Sequence, residues 1–334
     1  MDNKNNKIYD ETIVPTFSCF TLCDNCVLKC RMCYKWQPDL YIKPERRKME
    51  LEDWKKCALS LKNIAPENFV INFGGGEVTT VPWLFEIVSF CRDLGFKTNI
   101  ATNGFLVDET LAREIGKSGL DYINISLDSL DENTHDTLRG VKGVYAKVMR
   151  AIELVHRYAP QTQISICSIM MEPTLSGVPR LVQWVQENPM VAMIYLMAIM
   201  QPNNTQADPL WYKNKFSGLW PQDPGRAAKV IDEVIRFKEK GYKIANRVEH
   251  LLAYKTYFFD PRSYVKKKAC NIDRAVHISS VGDVFMCYSY DKIGDAREDS
   301  IEKIWINDQA RQVRGRIREC RENCHFLLNC NFDG

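Results

Sequence analysis

Short β-rich runs alternate with longer helical patterns over about residues 10–200, and this alternation limits the fold more than any other feature of the chain. Residues 163–170 illustrate the first kind of segment, and residues 83–91 carry apolar side chains at the three- and four-residue spacing of a helix. Because one strand and one helix together take roughly 25–30 residues, the pattern predicts βαβ units in a parallel sheet, either open or curled into a barrel.

Six strands are predicted in this region: Ile13–Thr21, Phe69–Phe73, Lys97–Ala101, Tyr122–Leu127, Gln163–Met170 and Met193–Ile199. The helices predicted between them are Leu51–Asn63, Pro82–Leu94, Asp108–Ser118, Val144–Arg157 and Val178–Asn188. Six strands are too few for a complete eight-stranded barrel. The pattern therefore predicts an α/β fold, a partial (β/α)6 TIM-like barrel, with its chemistry at the carboxyl ends of the strands.

The chain is predicted to divide into an N-terminal tail, the barrel, a connecting region and a small cysteine-rich extension, at residues 1–12, 13–225, 226–264 and 265–334. The Pro- and Asn-containing stretch 201–225 is predicted to be a long loop. The connecting region is expected to hold a helix and a short strand, at Arg226–Lys240 and Tyr242–Ala245. The extension is expected to hold a β-hairpin and a helix, at His277–Ser280 with Asp283–Cys287 and near Ile301–Gln312.

Composition and charge exclude several classes of protein. With 45% hydrophobic and 26% charged residues, the chain can bury a substantial core and is neither disordered nor fibrous. A net charge of +3 is too small for a nucleic-acid or anionic-membrane binder. The longest apolar run, Val191 to Met200, is about half the length of a membrane-spanning helix, and the polar N-terminus has no signal-peptide core. We therefore expect a cytoplasmic protein with no nucleic-acid or membrane partner.

The 13 cysteines fall mostly into two separated groups. The first group occupies residues 19–33 and the second residues 270–330, and three isolated cysteines lie between them. In a reducing compartment, clustered cysteines are more often metal ligands or catalysts than disulfides. The distribution predicts two metal centres.

The first group allows more than one kind of metal site. Cys23-x2-Cys26 and Cys30-x2-Cys33 are two chelating pairs whose four thiolates suit a tetrahedral zinc ion, although the spacer between them is short for two zinc knuckles. The spacing also differs from that of ferredoxins. The other interpretation is one loop, Cys26-x3-Cys30-x2-Cys33, which gives three thiolates to a [4Fe–4S] cluster and leaves one iron open for a substrate or cofactor.

This three-cysteine loop resembles the CxxxCxxC motif of the radical S-adenosylmethionine (radical SAM) superfamily, and it follows the first predicted strand, as in that family. Two positions depart from the usual pattern: Met32 replaces an aromatic residue and Val78 replaces a proline. The matches cover roughly residues 13–170. Four further segments resemble family motifs in order along the chain: Gly74-Gly75-Gly76-Glu77, Thr102-Asn103-Gly104, Ile125-Ser126-Leu127-Asp128-Ser129 and His135-Asp136-Thr137-Leu138-Arg139-Gly140.

The resemblance implies a SAM site beside the cluster. The glycines and the glutamate of the second motif are expected to hold the methionyl amine, since glycine lets backbone approach a ligand closely. Arg139 is expected to pair with the methionyl carboxylate, and Ser126 to hydrogen-bond a ribose or carboxylate. The reduced cluster then cleaves SAM to a 5′-deoxyadenosyl radical, which abstracts a substrate hydrogen. The expected cofactor-binding residues are Tyr34, Gly75, Gly76, Glu77, Asn103, Ser126 and Arg139.

Three other cysteines of the barrel region are not expected to be cluster ligands. Cys19 and Cys23 lie outside the family motif, and we expect them to be buried strand and loop thiols. Cys167, on the fifth predicted strand, is a candidate hydrogen-atom donor if it faces the barrel interior. An isolated cysteine is more often a small buried core residue. The sequence identifies no other catalytic candidate.

The second group resembles the auxiliary-cluster extension called SPASM, or its shorter form called twitch. Cys270, the Gly282-x4-Cys287 hairpin and a terminal set of cysteines match it in order. Five cysteines suit one auxiliary [4Fe–4S] cluster with one thiol to spare. A structural zinc site that holds the tail is the alternative. Four ligands are expected from Cys270, Cys287, Cys320, Cys324 and Cys330, the first two being the firmest.

Together these features favour a radical SAM enzyme that acts on a small molecule or a peptide by oxidation, epimerisation or cross-linking. We expect its reductant to be a flavodoxin or a ferredoxin. Only residues 1–12 precede the first predicted strand, which leaves no room for a small leader-recognition domain and favours a small-molecule substrate or a separate recognition protein. The alternative is a non-catalytic iron–sulfur or zinc-binding sensor or scaffold, against which the SAM motifs argue because a sensor has no need of a SAM pocket.

Overall fold

The computed structural model describes residues 13–41, 44–202, 205, 208–266 and 270–330. Its strands are β1 (Phe17–Cys23), β2 (Val70–Gly75), β3 (Lys97–Thr102), β4 (Tyr122–Ser126), β5 (Gln163–Met170), β6 (Met193–Ala198), β7 (Ala275–Ile278), β8 (Asp283–Phe285) and β9 (Gly294–Asp295). Its helices are α1 (Leu51–Lys62), α2 (Leu84–Asp93), α3 (Glu109–Ser118), α4 (Glu132–Arg139), α5 (Val144–Tyr158), α6 (Val178–Glu187), α7 (Pro224–Glu239), α8 (Val248–Phe259), α9 (Ile301–Ile306) and α10 (Asp308–Glu319).

The first six strands are parallel and lie in the spatial order β6-β5-β4-β3-β2-β1. The helices between them pack on the outer face of the sheet, where Phe20 of β1 stacks on Trp54 of α1 with ring centroids 5.2 Å apart. Each predicted strand and helix is present to within a few residues, and β5 has the predicted bounds. The predicted partial (β/α)6 barrel is confirmed.

Along each strand, successive side chains point alternately into the core under the helices and into the interior of the barrel. In β4, Ile123 and Ile125 are fully buried, whereas Asn124 and Ser126 line a cavity in the barrel lumen. Apolar residues thus hold the helices against the sheet, and small or polar residues face inward. The inner face is therefore available for binding and chemistry.

The C-terminal extension continues the same sheet. β7 pairs in parallel with β1, and β8 and β9 follow it antiparallel, so the described strands form one sheet of nine. The predicted hairpin is present. The single predicted helix is instead two helices, α9 and α10, because Asn307 between them leaves the helical conformation and caps α10, its side chain accepting from the Ala310 N–H at 2.7 Å.

Two helices were not predicted, and one predicted strand is only a single bridge. In α4, Asp131 accepts from the Thr134 N–H (2.8 Å), and Gly140 ends the helix with a φ of +74°. α8 packs against α7. The predicted strand at residues 242–245 makes one parallel bridge, between Ile244 and Ile194 of β6. Across the described residues, no helix combines the length and the apolar character needed to cross a membrane.

Candidate active site

Two adjoining cavities occupy the lumen of the barrel. The larger, which we call the lumen cavity, has a volume of about 960 Å³ and runs along the inner faces of the strands. The smaller, which we call the loop cavity, has a volume of about 370 Å³ and lies at the carboxyl ends of the strands. Tyr34, Gly75 and Ser126 line both. A ligand in the loop cavity would therefore face an occupant of the lumen cavity, and both volumes suit small ligands.

The loop after β1 brings Cys26, Cys30 and Cys33 to the loop cavity. All three are free thiols. Leu28 donates its backbone N–H to Cys26 Sγ (3.4 Å), and Asn103 donates its side-chain amide to the same sulfur (3.6 Å). Donors of this kind stabilise negative charge on a ligating thiolate. Three thiols on one cavity, with space beside them, fit a [4Fe–4S] cluster that keeps one iron open.

Arg139 places a positive charge beside this loop. Its guanidinium is hydrogen-bonded to the Cys30 thiol and ion-paired with Asp128 at 2.6 Å. Burial raises the pKa of Cys30 to about 11, and the charge of Arg139 opposes that shift. Because a metal ligand must lose its thiol proton, the guanidinium would help to neutralise the thiolate. Arg139 also lines the loop cavity, and its pairing with the methionyl carboxylate remains a prediction.

Gly75 and Gly76 are needed where the cysteine loop crosses the end of β2. A Cβ on Gly76 would lie 2.0 Å from the Asn25 carbonyl oxygen. Gly75 has a φ of +140°, and a Cβ there would lie 2.2 Å from the Cys23 carbonyl oxygen. We predicted that glycine serves the approach of a ligand. The structure shows a second reason for glycine here, because any side chain at these positions would clash with the cysteine loop that lies against β2. Both residues also line the loop cavity.

Glu77 is fully buried, and its carboxylate is occupied by protein donors. Oε1 accepts from the Thr79 hydroxyl (2.7 Å) and the Thr102 hydroxyl (2.6 Å), and Oε2 accepts from the Asn103 N–H (2.8 Å). The side chain lines neither cavity. Glu77 thereby fixes Asn103 at the end of β3, and its contact with the methionyl amine remains a prediction.

The other predicted barrel residues lie where the two cavities meet or along the lumen. Tyr34 and Ser126 line both cavities, and Cys167 lines the lumen cavity beside Ser126 in the β4–β5 register. Burial raises the pKa of Cys167 to about 12, so its thiol is protonated. Cys23 lines neither cavity and donates its thiol hydrogen to the Glu77 carbonyl (3.4 Å). This position agrees with a structural role for Cys23.

Asp24, which the sequence analysis did not single out, joins the cysteine loop to the C-terminal hairpin. Its buried carboxylate pairs with Lys35 (3.0 Å) and Lys48 (3.2 Å) and accepts from the hydroxyls of Tyr41 (2.7 Å) and Ser280. Burial alone would raise the pKa of Asp24. The charge of Lys35 and the hydrogen bonds from Ser280 and Tyr41 outweigh burial and hold that pKa well below its usual range.

Replacing Asp24 with asparagine is expected to lower the free energy of unfolding by about 3 kcal/mol, because Lys35, whose side chain is only 12% exposed, would keep an unpaired charge. The loss should show as a lower thermal midpoint at constant pH. Because the folded pKa of Asp24 is depressed, its contribution is present above the unfolded pKa and is lost only as pH falls through the folded value. We therefore expect the difference between the variants to be constant from pH 6 to 8.

Asp39→Asn is the matched control, since this exposed carboxylate pairs with Lys215 at the surface and such pairs contribute little. An Asp24→Asn midpoint equal to that of the control would contradict the role of Asp24.

Four cysteines of the second group lie together. The Cys270 thiol lies within electrostatic reach of Cys287 and Cys320. The Cys324 thiol lies within reach of Cys287 and Cys270. Within the described ranges, no three imidazole, thiol or carboxylate groups converge closely enough to hold a single metal ion. Four thiols that lie together could hold an iron–sulfur cluster.

Cys330 differs from the other four cysteines of its group because it lines the lumen cavity. Its thiol lies within reach of Cys324, but also of Cys19 on β1 and Cys167 on β5. The sequence left open which thiol of the second group is spare. The position of Cys330 in the lumen makes it the candidate.

Comparison with known proteins gives two family matches. The sequence profile of the radical SAM superfamily matches residues 20–174. The profile of the SPASM iron-sulfur cluster-binding domain matches residues 270–331. The first range contains the cysteine loop and strands β2–β5, and the second contains the hairpin and the second cysteine group.

Several curated proteins are similar to parts of the chain. The Fe-coproporphyrin III synthase of Methanosarcina barkeri is 34% identical over 127 residues, which are 38% of this chain and 30% of the synthase. The AdoMet-dependent heme synthase of the same organism is 24% identical over 256 residues, 71% of this chain and 68% of that protein. The PqqA peptide cyclase of Gluconobacter oxydans is 29% identical over 134 residues, 40% of this chain and 36% of the cyclase. The match thus spans about a third of the synthase named first and of the cyclase.

Solved structures share the fold at low sequence identity. Streptococcus suis SuiB bound to the precursor peptide SuiA superposes with a TM-score of 0.69 at 18% identity, covering 95% of this chain and 70% of SuiB. Native anSMEcpe with bound AdoMet superposes with a TM-score of 0.65 at 17% identity, covering 95% of this chain and 92% of that one. These likenesses establish the architecture of the barrel with its extension.

Proposed function

This chain belongs to the radical SAM superfamily and carries a C-terminal SPASM domain, and from that premise we propose that it cleaves SAM reductively and abstracts a hydrogen from a substrate held in the lumen cavity. The observation that carries the proposal is the junction of the two cavities. The cavity beside Cys26, Cys30 and Cys33 shares lining residues with the larger lumen cavity. A radical formed beside the cysteines would therefore lie next to an occupant of the lumen cavity.

The proposed cluster ligands are the three thiols of the loop, and the cluster supplies the electron that breaks the C–S bond of SAM. The chain's own residues hold and orient the ligand. Gly75 and Gly76 line the loop cavity, and their backbone carbonyls are proposed to accept from the methionyl amine. Arg139 supplies a positive charge on the same cavity, and Met32 supplies a soft apolar surface for adenine.

The proposed substrate is a peptide or a small molecule, and the reaction an oxidation, epimerisation or cross-linking. The lumen cavity, at about 960 Å³, is large enough for either class. The relatives include enzymes named for a porphyrin, for a peptide and for a nucleotide. We further propose a flavodoxin or ferredoxin as reductant and a reducing, cytoplasmic setting, because free thiols for cluster assembly persist there.

The alternative is a sensor or scaffold that binds iron–sulfur or zinc without catalysis. A sensor needs no second cavity beside its metal ligands. The residues that line the loop cavity offer a positive charge, open backbone and an apolar surface in one place, which is the set that an amino acid joined to a nucleoside requires. This combination favours the enzyme.

Anaerobic protein reconstituted with iron and sulfide, then given dithionite and SAM, is expected to form 5′-deoxyadenosine and methionine in equal amounts. Product is measured by chromatography, and iron is expected near eight atoms per chain for two cubane clusters. Iron without SAM cleavage would support the sensor. Zinc without iron would support a structural metal site and exclude the proposed chemistry.

A further inference from the structure

The outer surface of the cysteine loop carries positive charge. Lys29 and Arg31 lie on either side of Cys30 in the chain, and both are exposed. Residues 25–33 include no aspartate or glutamate. A protein that approaches this loop from solvent therefore meets two cations within a few residues of the proposed cluster ligands.

The turn between α4 and α5 extends this positive surface. The Arg31 N–H donates to the Leu138 carbonyl (2.8 Å), and a Cβ on Gly140 would lie 2.3 Å from the Lys29 carbonyl oxygen. The turn thus lies directly against the cysteine loop, and it adds the exposed Lys142. We call Lys29, Arg31 and Lys142 the basic face.

The charges of the basic face are not neutralised within the protein. Among the described residues, no carboxylate lies within ion-pair distance of these three side chains. The stretch 137–152, which contains the α4–α5 turn, has four lysines and arginines and no aspartate or glutamate. Elsewhere on the surface, Lys55 and Lys97 each pair with a carboxylate at 2.7 Å. A group of free cations repels itself, and an acidic partner would relieve that repulsion.

Two apolar side chains are exposed beside these cations. Val27 lies on the cysteine loop and is 41% exposed, and Trp36 lies just after the loop and is 42% exposed. The Trp36 indole N–H donates to the Cys30 carbonyl (2.8 Å), which fixes the ring beside the proposed cluster ligands. Exposed apolar side chains with charges around them are typical of protein–protein interfaces, and tryptophan often contributes much of the binding energy there.

We propose that the basic face, together with Val27 and Trp36, docks the acidic surface of a flavodoxin that reduces the cluster of the cysteine loop. The proposal rests on the proposed function, because the electron transferred is the one that SAM cleavage consumes. One electron leaves the reduced flavin and enters the cluster, and no covalent bond is formed or broken. A flavodoxin fits this surface because its flavin exposes an apolar edge among acidic residues, and opposite charges speed the encounter.

The first measurement is binding of oxidised, FMN-loaded bacterial flavodoxin to the anaerobically reconstituted holoenzyme in titration calorimetry. The Lys29→Glu/Lys142→Glu variant is expected to bind about 10-fold more weakly, because two attractions become repulsions. Raising the salt concentration from about 50 to about 300 mM should weaken wild-type binding and reduce this difference. Lys117→Glu/Lys240→Glu is the matched control: both lysines are exposed and lie at the C-terminal ends of α3 and α7, away from the cysteine loop.

The second measurement is formation of 5′-deoxyadenosine with two reductants. With reduced flavodoxin below saturation, the Lys29→Glu/Lys142→Glu variant is expected to be about 10-fold slower than the wild type. With dithionite, a small molecule that needs no docking surface, the rate and the iron content of the variant should equal those of the wild type. Equality in this second case shows that the cluster and the SAM site are intact in the variant.

Equal binding of flavodoxin by the wild type and the Lys29→Glu/Lys142→Glu variant would overturn the proposal. So would failure of the wild type to bind flavodoxin, binding of a ferredoxin in its place, or loss of the dithionite-driven rate in the variant. Failure of the wild type to cleave SAM with dithionite would instead contradict the proposed function. The calorimetric result would still decide whether the basic face docks a flavodoxin.

Discussion

Replacing Cys30 with alanine is expected to abolish SAM cleavage and to lower the iron content from about eight to about four atoms per chain. Cys30 is a buried thiol on the loop cavity, between Cys26 and Cys33 on the loop and hydrogen-bonded to Arg139. Two thiolates would remain for a cluster that needs three. Even mutation of residues that only contact metal ligands lowers metal affinity or activity about 10–100-fold. We expect formation of 5′-deoxyadenosine to fall by more than about 100-fold, measured by chromatography beside an iron assay.

Cys23→Ser is the matched control for this variant. Cys23 lies seven positions before Cys30 in the chain but lines neither cavity and donates to the Glu77 carbonyl, which serine also does. The variant should keep its iron and its activity. If Cys23→Ser loses iron as Cys30→Ala does, the two chelating pairs of the sequence form one metal site, and the three-ligand assignment is wrong.

The strands and helices of the barrel were predictable because their patterns are local. In β4, the alternation of Ile123 and Ile125 with Asn124 predicts both the strand and the face that points into the barrel. α8 was missed because apolar residues also occupy its exposed face, where Leu252 and Phe259 lie opposite the buried stripe and weaken the amphipathic pattern. α4 was missed because it is polar and depends on caps at Asp131 and Gly140.

The part of the candidate site that is built from sequence motifs was predictable. The cysteine loop and the residues at the strand ends come together because parallel strands place their carboxyl ends at one edge. Asp24 and Ser280 are 256 residues apart and carry no motif. His277 lines the lumen cavity because β7 pairs in parallel with β1. Neither segment carries a sequence pattern that predicts this pairing. Contacts of this kind follow from tertiary structure.

Replacing Cys324 with alanine is expected to remove the auxiliary cluster and lower the iron content from about eight to about four atoms per chain, whereas Cys330→Ala should keep both clusters. The Cys324 thiol lies near those of Cys270 and Cys287, while Cys330 faces the lumen. Because a bound cluster stabilises the chain segments that it joins, Cys324→Ala should also have the lower thermal midpoint of the two.

The two variants are compared by iron content and by the electron paramagnetic resonance spectrum of the dithionite-reduced protein. Addition of SAM should change the spectrum of the loop cluster in both, because Cys26, Cys30 and Cys33 are intact. Loss of iron from Cys330→Ala with full iron in Cys324→Ala would make Cys330 the fourth ligand. Retention of four iron atoms and one zinc ion by the wild type would make the extension a zinc site.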